Sequence, residues 1–204
     1  MVRLTSVITI PNTANDAALA ALDRRRSVPA RQLAAPAPDD STLLRLLRSA
    51  VRVPDHGKRV PFRFLRLRGD ARDALGSRVA EIGKRRQPDA GQAAFDKDLQ
   101  RFSHAPLVLV VVAVLDPSDS AIPEQERLMT AGCVCLTVLQ AAQALGFAGT
   151  WLTGWPAFDR EVAGVLGLGP HESVAGFVHL GTAALEAPER DRPDPAALLR
   201  DWTP

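Results

Sequence analysis

Two short segments carry the residues best equipped for chemistry. In LDRRRSV (22–28) three arginines meet a serine where a helical pattern gives way to a proline-rich stretch. A guanidinium offers a rigid fork of donors matched to phosphate, and Ser27 adds a hydroxyl. A charge run that only ends a helix has the same composition, because cations suit the C-terminal end of the macrodipole. In VPDHGKRVPFRF (53–64) Asp55 precedes His56, and Lys58, Arg59 and Arg63 follow. A carboxylate that orients an imidazole is part of a nucleophilic device, yet the chain has no G-x-S-x-G or comparable nucleophile signature. The other histidines, His104, His171 and His179, show no H-x-x-x-H spacing, and the cysteines no C-x-x-C, so a metal centre is not indicated. His104 and His179 read as hydrogen-bonded structural residues. What remains for the loop is anion or cofactor binding through His56, Lys58 and Arg59, with Asp55 shaping the turn.

The glycines fit no nucleotide fingerprint. GVLGLG (164–169) has the wrong order for G-x-G-x-x-G and follows a helix, and no G-x-x-x-x-G-K-[ST] occurs. GFAGTWLTG (146–154) and GFVHLGT (176–182) join glycine to β-rich sequence at strand ends. Glycine there either admits a flat ligand close to the backbone or marks a bulge or turn.

These segments need elements to position them. Asp16 caps a predicted helix through AALAALDRRR, and SVPARQLAAPAPDD is a proline-rich loop. Asp40 or Ser41 caps STLLRLLRSAVR, whose Leu43, Leu44, Leu47 and Ala50 form an apolar stripe. FRFLRLR (62–68) reads as a strand, and residues 71–86 and 91–102 as polar, exposed helices. LVLVVVAVL (107–115) is an unbroken, mostly β-branched run, as expected of a strand buried on both faces. A long helix runs from about Glu124 to Leu145 with Gly146 as its C-cap. Strands follow at 147–153 and 174–182, with a short helix near 159–166 between them. Residues 1–15 read as an extension and 16–204 as one domain of α+β or α/β type, one sheet packed between helices. The apolar segment 128–145 needs cover on every side, which places part of it in a subunit interface.

Composition narrows the function. The formal charge is +2, but residues 1–104 hold 20 Lys and Arg against 11 Asp and Glu, and residues 105–204 hold 5 against 12. A basic half would suit nucleic acid. However, the chain has no tyrosine and only 5% aromatic residues, so platforms for stacking bases are poorly supplied and no nucleic-acid partner is expected. Thr130, Thr137, Gln140 and Gln143 interrupt the apolar helix and mark it as a core helix, with no membrane contact expected. Cys133 and Cys135 lie two apart on a helix and point to different faces, which suits neither a bridge nor a metal pair and fits a reducing cytoplasm.

In succession, RRS (25–27), a helix ending in VPDH (53–56), PFRF, APLVLVVVA, AGCVCLTVLQAAQALGFAGTWLTG and VAGFVHLGT resemble the FMN-dependent nitroreductase family. The likeness is greatest to its compact bacterial NAD(P)H nitroreductase subgroup and covers about residues 18–204. It implies an α+β fold with a central mixed or antiparallel sheet flanked by helices, a long buried central helix, and an intertwined homodimer with FMN at the interface. By motif, Arg25, Arg26 and Ser27 contact the FMN phosphate and ribityl chain. His56 lies against the flavin, Val60 reaches it from the partner subunit, and Trp151, Leu152 and Thr153 line the ring. Ala141, Ala142, Gln143, Ala144, Leu145 and Gly146 match the nicotinamide-nucleotide segment. No catalytic side chain is required, since the flavin carries electrons from NADH or NADPH to a nitroaromatic, quinone or similar acceptor in ping-pong order. Glu186 stands where the family has a cation, so its carboxylate opposes the phosphate unless it points away or Arg24 compensates. That departure leaves room for a second reading, a flavin carrier or partner protein with little turnover.

Overall fold

The computed structural model describes residues 13–204, so the extension expected over residues 1–15 lies outside the described residues up to residue 12. Helix α1 (Asp16–Asp23) begins one residue earlier than expected, because the Asn15 side chain, not that of Asp16, accepts the Ala18 N–H at 3.0 Å. The proline-rich loop holds a two-residue strand, β1 (Leu33–Ala34). Helix α2 (Asp40–Ala50) is capped by Asp39, whose carboxylate takes the Thr42 N–H at 2.7 Å. Its buried face is Leu43, Leu46 and Ala50, so Leu44 of the expected stripe is left in solvent.

Strand β2 (Phe62–Leu67), helix α3 (Asp70–Arg86) and helix α4 (Gly91–Leu99) follow. Helix α3 is less exposed than its polar sequence suggests, because Leu75, Val79 and Ile82 are buried. It also touches α4 backbone to backbone: a Cβ at Gly76 would lie 2.2 Å from the Leu99 carbonyl oxygen. Strand β3 (Leu107–Val114), helix α5 (Glu124–Ala144), strand β4 (Ala148–Leu152), helix α6 (Arg160–Val165), strand β5 (Glu172–Ala183) and helix α7 (Pro195–Leu198) complete the order.

All strand pairs are antiparallel, in the order β1-β5-β3-β2, with β4 also paired to β5. Of the mixed or antiparallel sheet expected, the described residues form the antiparallel one. Alternation along β3 builds the two cores. Leu107, Leu109 and Val111 join the cluster made with α2 and α5, and Val108, Val110 and Val112 join the one made with α3, α6, Phe102 and Phe177. The run from Leu107 to Ala113 is buried on both faces, as its composition predicted. At about 1.5–3 kcal/mol for each large apolar side chain removed from water, that strand dominates the stabilisation of the sheet.

Helix α5 covers one sheet face with Ala131, Val134, Cys135, Val138 and Ala142, while Leu128, Met129, Cys133 and Leu136 are exposed on its other side. The two cysteines therefore point apart, and burial pushes the Cys135 thiol up to about 12. No helix among the described residues is long and apolar enough to cross a membrane.

His179 is fully buried in β5 and stacks on Phe102, with ring centroids 6.2 Å apart. The expected hydrogen bonds are missing: neither ring nitrogen has a partner among the described residues. Burial, with smaller contributions from His104 and Arg101, holds its pKa down at about 4. The unfolded chain, with an ordinary imidazole near 6.5, binds the proton first, so stability falls as pH drops from about 6.5 to about 4. We expect this one residue to cost on the order of 3 kcal/mol across that window. His179→Leu should flatten the slope in urea unfolding measured at pH 7, 5.5 and 4.5.

Candidate functional site

The arginine segment is fixed to the sheet by its backbone. Beyond α1, the Val28 N–H donates to the Gly149 carbonyl at 3.1 Å, which lays Arg25–Ser27 beside the start of β4. Gln143 in the last turn of α5 donates its amide to the Ala21 carbonyl at 2.7 Å. Arg24, Arg26, Leu139, Gln143, Phe147 and Gly149 line a hollow of about 160 Å³ between these pieces. Arg25 Nη1 donates to Ser27 Oγ at 3.2 Å, and Arg26 Nη1 to the Asp23 carbonyl at 2.7 Å. Arg26 also forms an ion pair with Glu189 in the C-terminal segment. The carboxylate that reaches the cluster is thus Glu189, while Glu186 is exposed and in no ion pair among the described residues.

Trp151 sits farther along β4 and is held by a defect in its neighbour. Val111 pairs with Gly176 and Val112 with Val174, so Ala175 is the extra residue of a bulge in β5. The Ala175 carbonyl accepts the Trp151 indole N–H at 3.1 Å. Gly176 provides the space: a Cβ there would lie 2.1 Å from Trp151 Nε1 and 3.1 Å from Cys135 Sγ. The indole also reaches Gly132 of α5, where an added Cβ would stand 3.7 Å from its six-membered ring. Of the two readings open for these glycines, this structure gives Gly176 a packing role beneath an indole. Trp151 and Leu152 are exposed to the same extent, and Thr153 is half-buried beside them.

The loop after α2 is anchored from several sides. Thr130 Oγ1 of α5 donates to the Pro54 carbonyl at 3.1 Å. The Asp55 carboxylate accepts the N–H groups of Arg59 at 3.1 Å and Val60 at 2.8 Å, so Asp55 shapes the turn as expected. His56 Nδ1 lies 2.7 Å from Glu126 Oε2, in the first turn of α5. Arg59 is drawn into an ion pair with Asp119 at 2.8 Å, which cancels the positive charge expected of it and leaves Lys58 as the loop's cation without a carboxylate partner among the described residues. Gly57, Lys58 and Val60 all have positive φ. For a β-branched residue this is a strained conformation. Val60 adopts it while 59% exposed, and gains nothing from burial in return.

The candidate residues are therefore strung along α5 and not gathered at one point. Arg25–Ser27 adjoin its C-terminal turn, Trp151 its middle, and His56 its first turn. Glu126 and Gln143 are separated by about 25 Å along the axis at about 1.5 Å per residue. In the segment 141–146, Ala141 and Ala142 face the core, Gln143 is tied to α1, and Ala144, Leu145 and Gly146 are exposed. Glu126, Asp119 and Glu189 have no functional signal in the sequence, and Thr130 shows there only as a polar break in the apolar helix, since none of these residue types carries a sign of a distant partner.

The arrangement offers an anion-holding end, a flat apolar middle and an exposed imidazole. The family model described as Nitroreductase family matches residues 22–182, and the chain belongs to that family of oxidoreductases. An Escherichia coli K12 protein, YdjA, assigned by name to the NAD(P)H nitroreductases, is 35% identical over 183 residues, 89% of this chain and 97% of that one. Among solved structures, a nitroreductase-like family protein from Bacillus cereus superposes with a TM-score of 0.75 at 21% identity, covering 93% of this chain and 97% of that one. A nitroreductase from Desulfovibrio desulfuricans in complex with FMN gives 0.71 at 22% identity, covering 94% and 100%. These establish the nitroreductase-like α+β fold.

Gly176→Ala should expel the indole from its seat and break the Trp151–Ala175 hydrogen bond. We expect a loss of about 1–3 kcal/mol in denaturant unfolding, with a shift in tryptophan fluorescence. Wild-type stability in that variant would show that the indole does not need the space.

Proposed function

We propose that the chain is an FMN-dependent oxidoreductase that passes electrons from NADH or NADPH to a nitroaromatic, quinone or similar acceptor. The observation that carries this reading is the Val28–Gly149 hydrogen bond, which joins the arginine cluster to the strand bearing Trp151 and Leu152. A flat cofactor with a phosphate tail requires those two surfaces in continuity. Arg25, Arg26 and Ser27 would hold the phosphate and ribityl chain, and Trp151, Leu152 and Thr153 would flank the ring. Bound there, the flavin supplies hydride and electron transfer. The chain's own task is placement. Glu126 fixes Nδ1 of His56 as the bonded atom and leaves Nε2 for a ligand. The nicotinamide nucleotide would meet Gln143, Ala144, Leu145 and Gly146, with Ala141 and Ala142 acting only through helix packing. Donor and acceptor use the same uncovered surface in turn, which gives ping-pong order.

The reading requires two chains. His56 and Val60 lie at one end of α5 and the arginines at the other, so a second copy set antiparallel across the exposed stripe of α5 completes each site. The C-terminal segment, with Leu198, Leu199 and Trp202 exposed, is suited to wrapping that copy. Residues 16–204 would form one FMN-binding domain of a cytoplasmic homodimer.

The Glu189–Arg26 pair favours the second reading, a flavin carrier with little turnover, because it opposes phosphate binding. Stopped-flow mixing of flavin-loaded protein with NADH and NADPH separates the two, since a carrier does not bleach at useful rates. Arg26→Ala should weaken FMN in an equilibrium titration by about tenfold or more, as expected for a lost charged hydrogen bond. Glu189→Gln should tighten it. Unchanged affinity in Arg26→Ala would remove the phosphate assignment. Leu136→Glu should convert the dimer to monomer in sedimentation and release flavin; a monomer that retains FMN would contradict the shared site.

A further inference from the structure

A further cavity lies away from the residues discussed above, on the sheet face covered by α3, α4 and α6. Its volume is about 520 Å³, within the range of small-molecule pockets at roughly 300–1,000 Å³. It opens between the end of α3, the start of α4 and the turn at Trp155–Phe158. Its floor is rigid. Trp155 Nε1 donates to both oxygens of Asp98, at 3.2 and 3.1 Å, and Arg101 neutralises the same carboxylate at 2.7 Å. Gly83 leaves room for this group: a Cβ there would stand 2.8 Å from Asp98 Oδ2 and 3.2 Å from the indole.

The walls add two more aromatic rings. Phe95 lines the cavity from α4, and Phe158 stands at its mouth with 76% of its surface exposed. The charges of the lining do not cancel. Arg86 is paired with Asp159, and Asp98 with Arg101. Lys84, with Nζ 5.7 Å from the centre of the Phe95 ring, has no carboxylate partner among the described residues. The lining thus combines three aromatic rings with one uncompensated cation.

We propose that this cavity is a second ligand site, separate from the flavin site, that takes a planar aromatic carboxylate. Its ring packs among Phe95, Trp155 and Phe158, and its carboxylate meets Lys84. The pairing follows from charge and shape: a neutral ring leaves Lys84 uncompensated, and a dianion exceeds the charge available.

The three tryptophans make the test specific, since Trp151 lies at the candidate flavin site, Trp155 in this cavity and Trp202 in the exposed C-terminal segment. The full chain, isotopically labelled and saturated with FMN, is titrated with 1-naphthoate and with the neutral 1-naphthamide. The three indole N–H signals are assigned through Trp→Phe variants. A saturable shift of the Trp155 signal is expected, with naphthoate bound about threefold to fivefold more tightly than naphthamide. Lys84→Gln should abolish that preference, and Phe158→Ala, at a solvent-exposed position, should weaken both probes by about fivefold. Shifts confined to Trp151 or Trp202, no saturable shift at all, or equal affinity for the two probes would overturn the proposal. The readout does not depend on turnover, so failure of the oxidoreductase reading leaves it standing.

Discussion

Helix α5 cannot be left in water. Its 21 residues carry apolar groups around most of the circumference, and its own chain covers only the sides that meet the sheet and α2. The strands line up beneath that side: β3 contributes its odd-numbered residues, and β4 runs back along the helix from Phe147. The groups read as ligand-binding are all attached to this helix or to elements leaning on it. The arginine segment reaches it through Gln143, the indole through Gly132, and the histidine loop through Thr130 and Glu126. One helix therefore sets the spacing of the whole candidate site.

The opposite face of the sheet follows a different rule. There the cover consists of shorter helices brought close by glycine, as where Gly76 of α3 meets the Leu99 backbone. Polar groups are admitted in small sets, such as Asp98 with Arg101 and Trp155, in which Arg101 Nε alone is left without a partner among the described residues. His179 goes further: neither ring nitrogen has a hydrogen-bond partner among the described residues, and the ring stays neutral because charging it would strand a cation in an apolar core. A sheet with one large apolar helix on one side and a patchwork on the other leaves two distinct kinds of concavity.

Much of this was legible in the residues. LVLVVVAVL could only be a strand buried on both faces, and the apolar helix beside it announced both its position and its uncovered side. RRS, PDH and GTWLTG each admit a structural reading alone, and only their succession along the chain, as a family resemblance, carried the expectation of a site. What could not be read were partnerships between residues far apart in sequence. Nothing in the order of the chain says that Glu126 meets His56, that Asp119 removes the charge of Arg59, or that Glu189 and not Glu186 turns toward the arginines. Caps slipped by one residue for the same local reason: Asn15 and Asp39 precede equally suitable acids, and the backbone angles decide between them. The bulge at Ala175 was invisible because an extra residue in a strand leaves no mark on composition.

The contact between Arg26 and Glu189 has a further consequence for how the chain behaves in salt. An anion that takes Arg26 must first release Glu189, so one ion pair is exchanged for another. Added electrolyte screens the pair that breaks as well as the pair that forms. The affinity of the arginine segment for anions therefore varies less with ionic strength than the charge of three adjacent arginines would suggest.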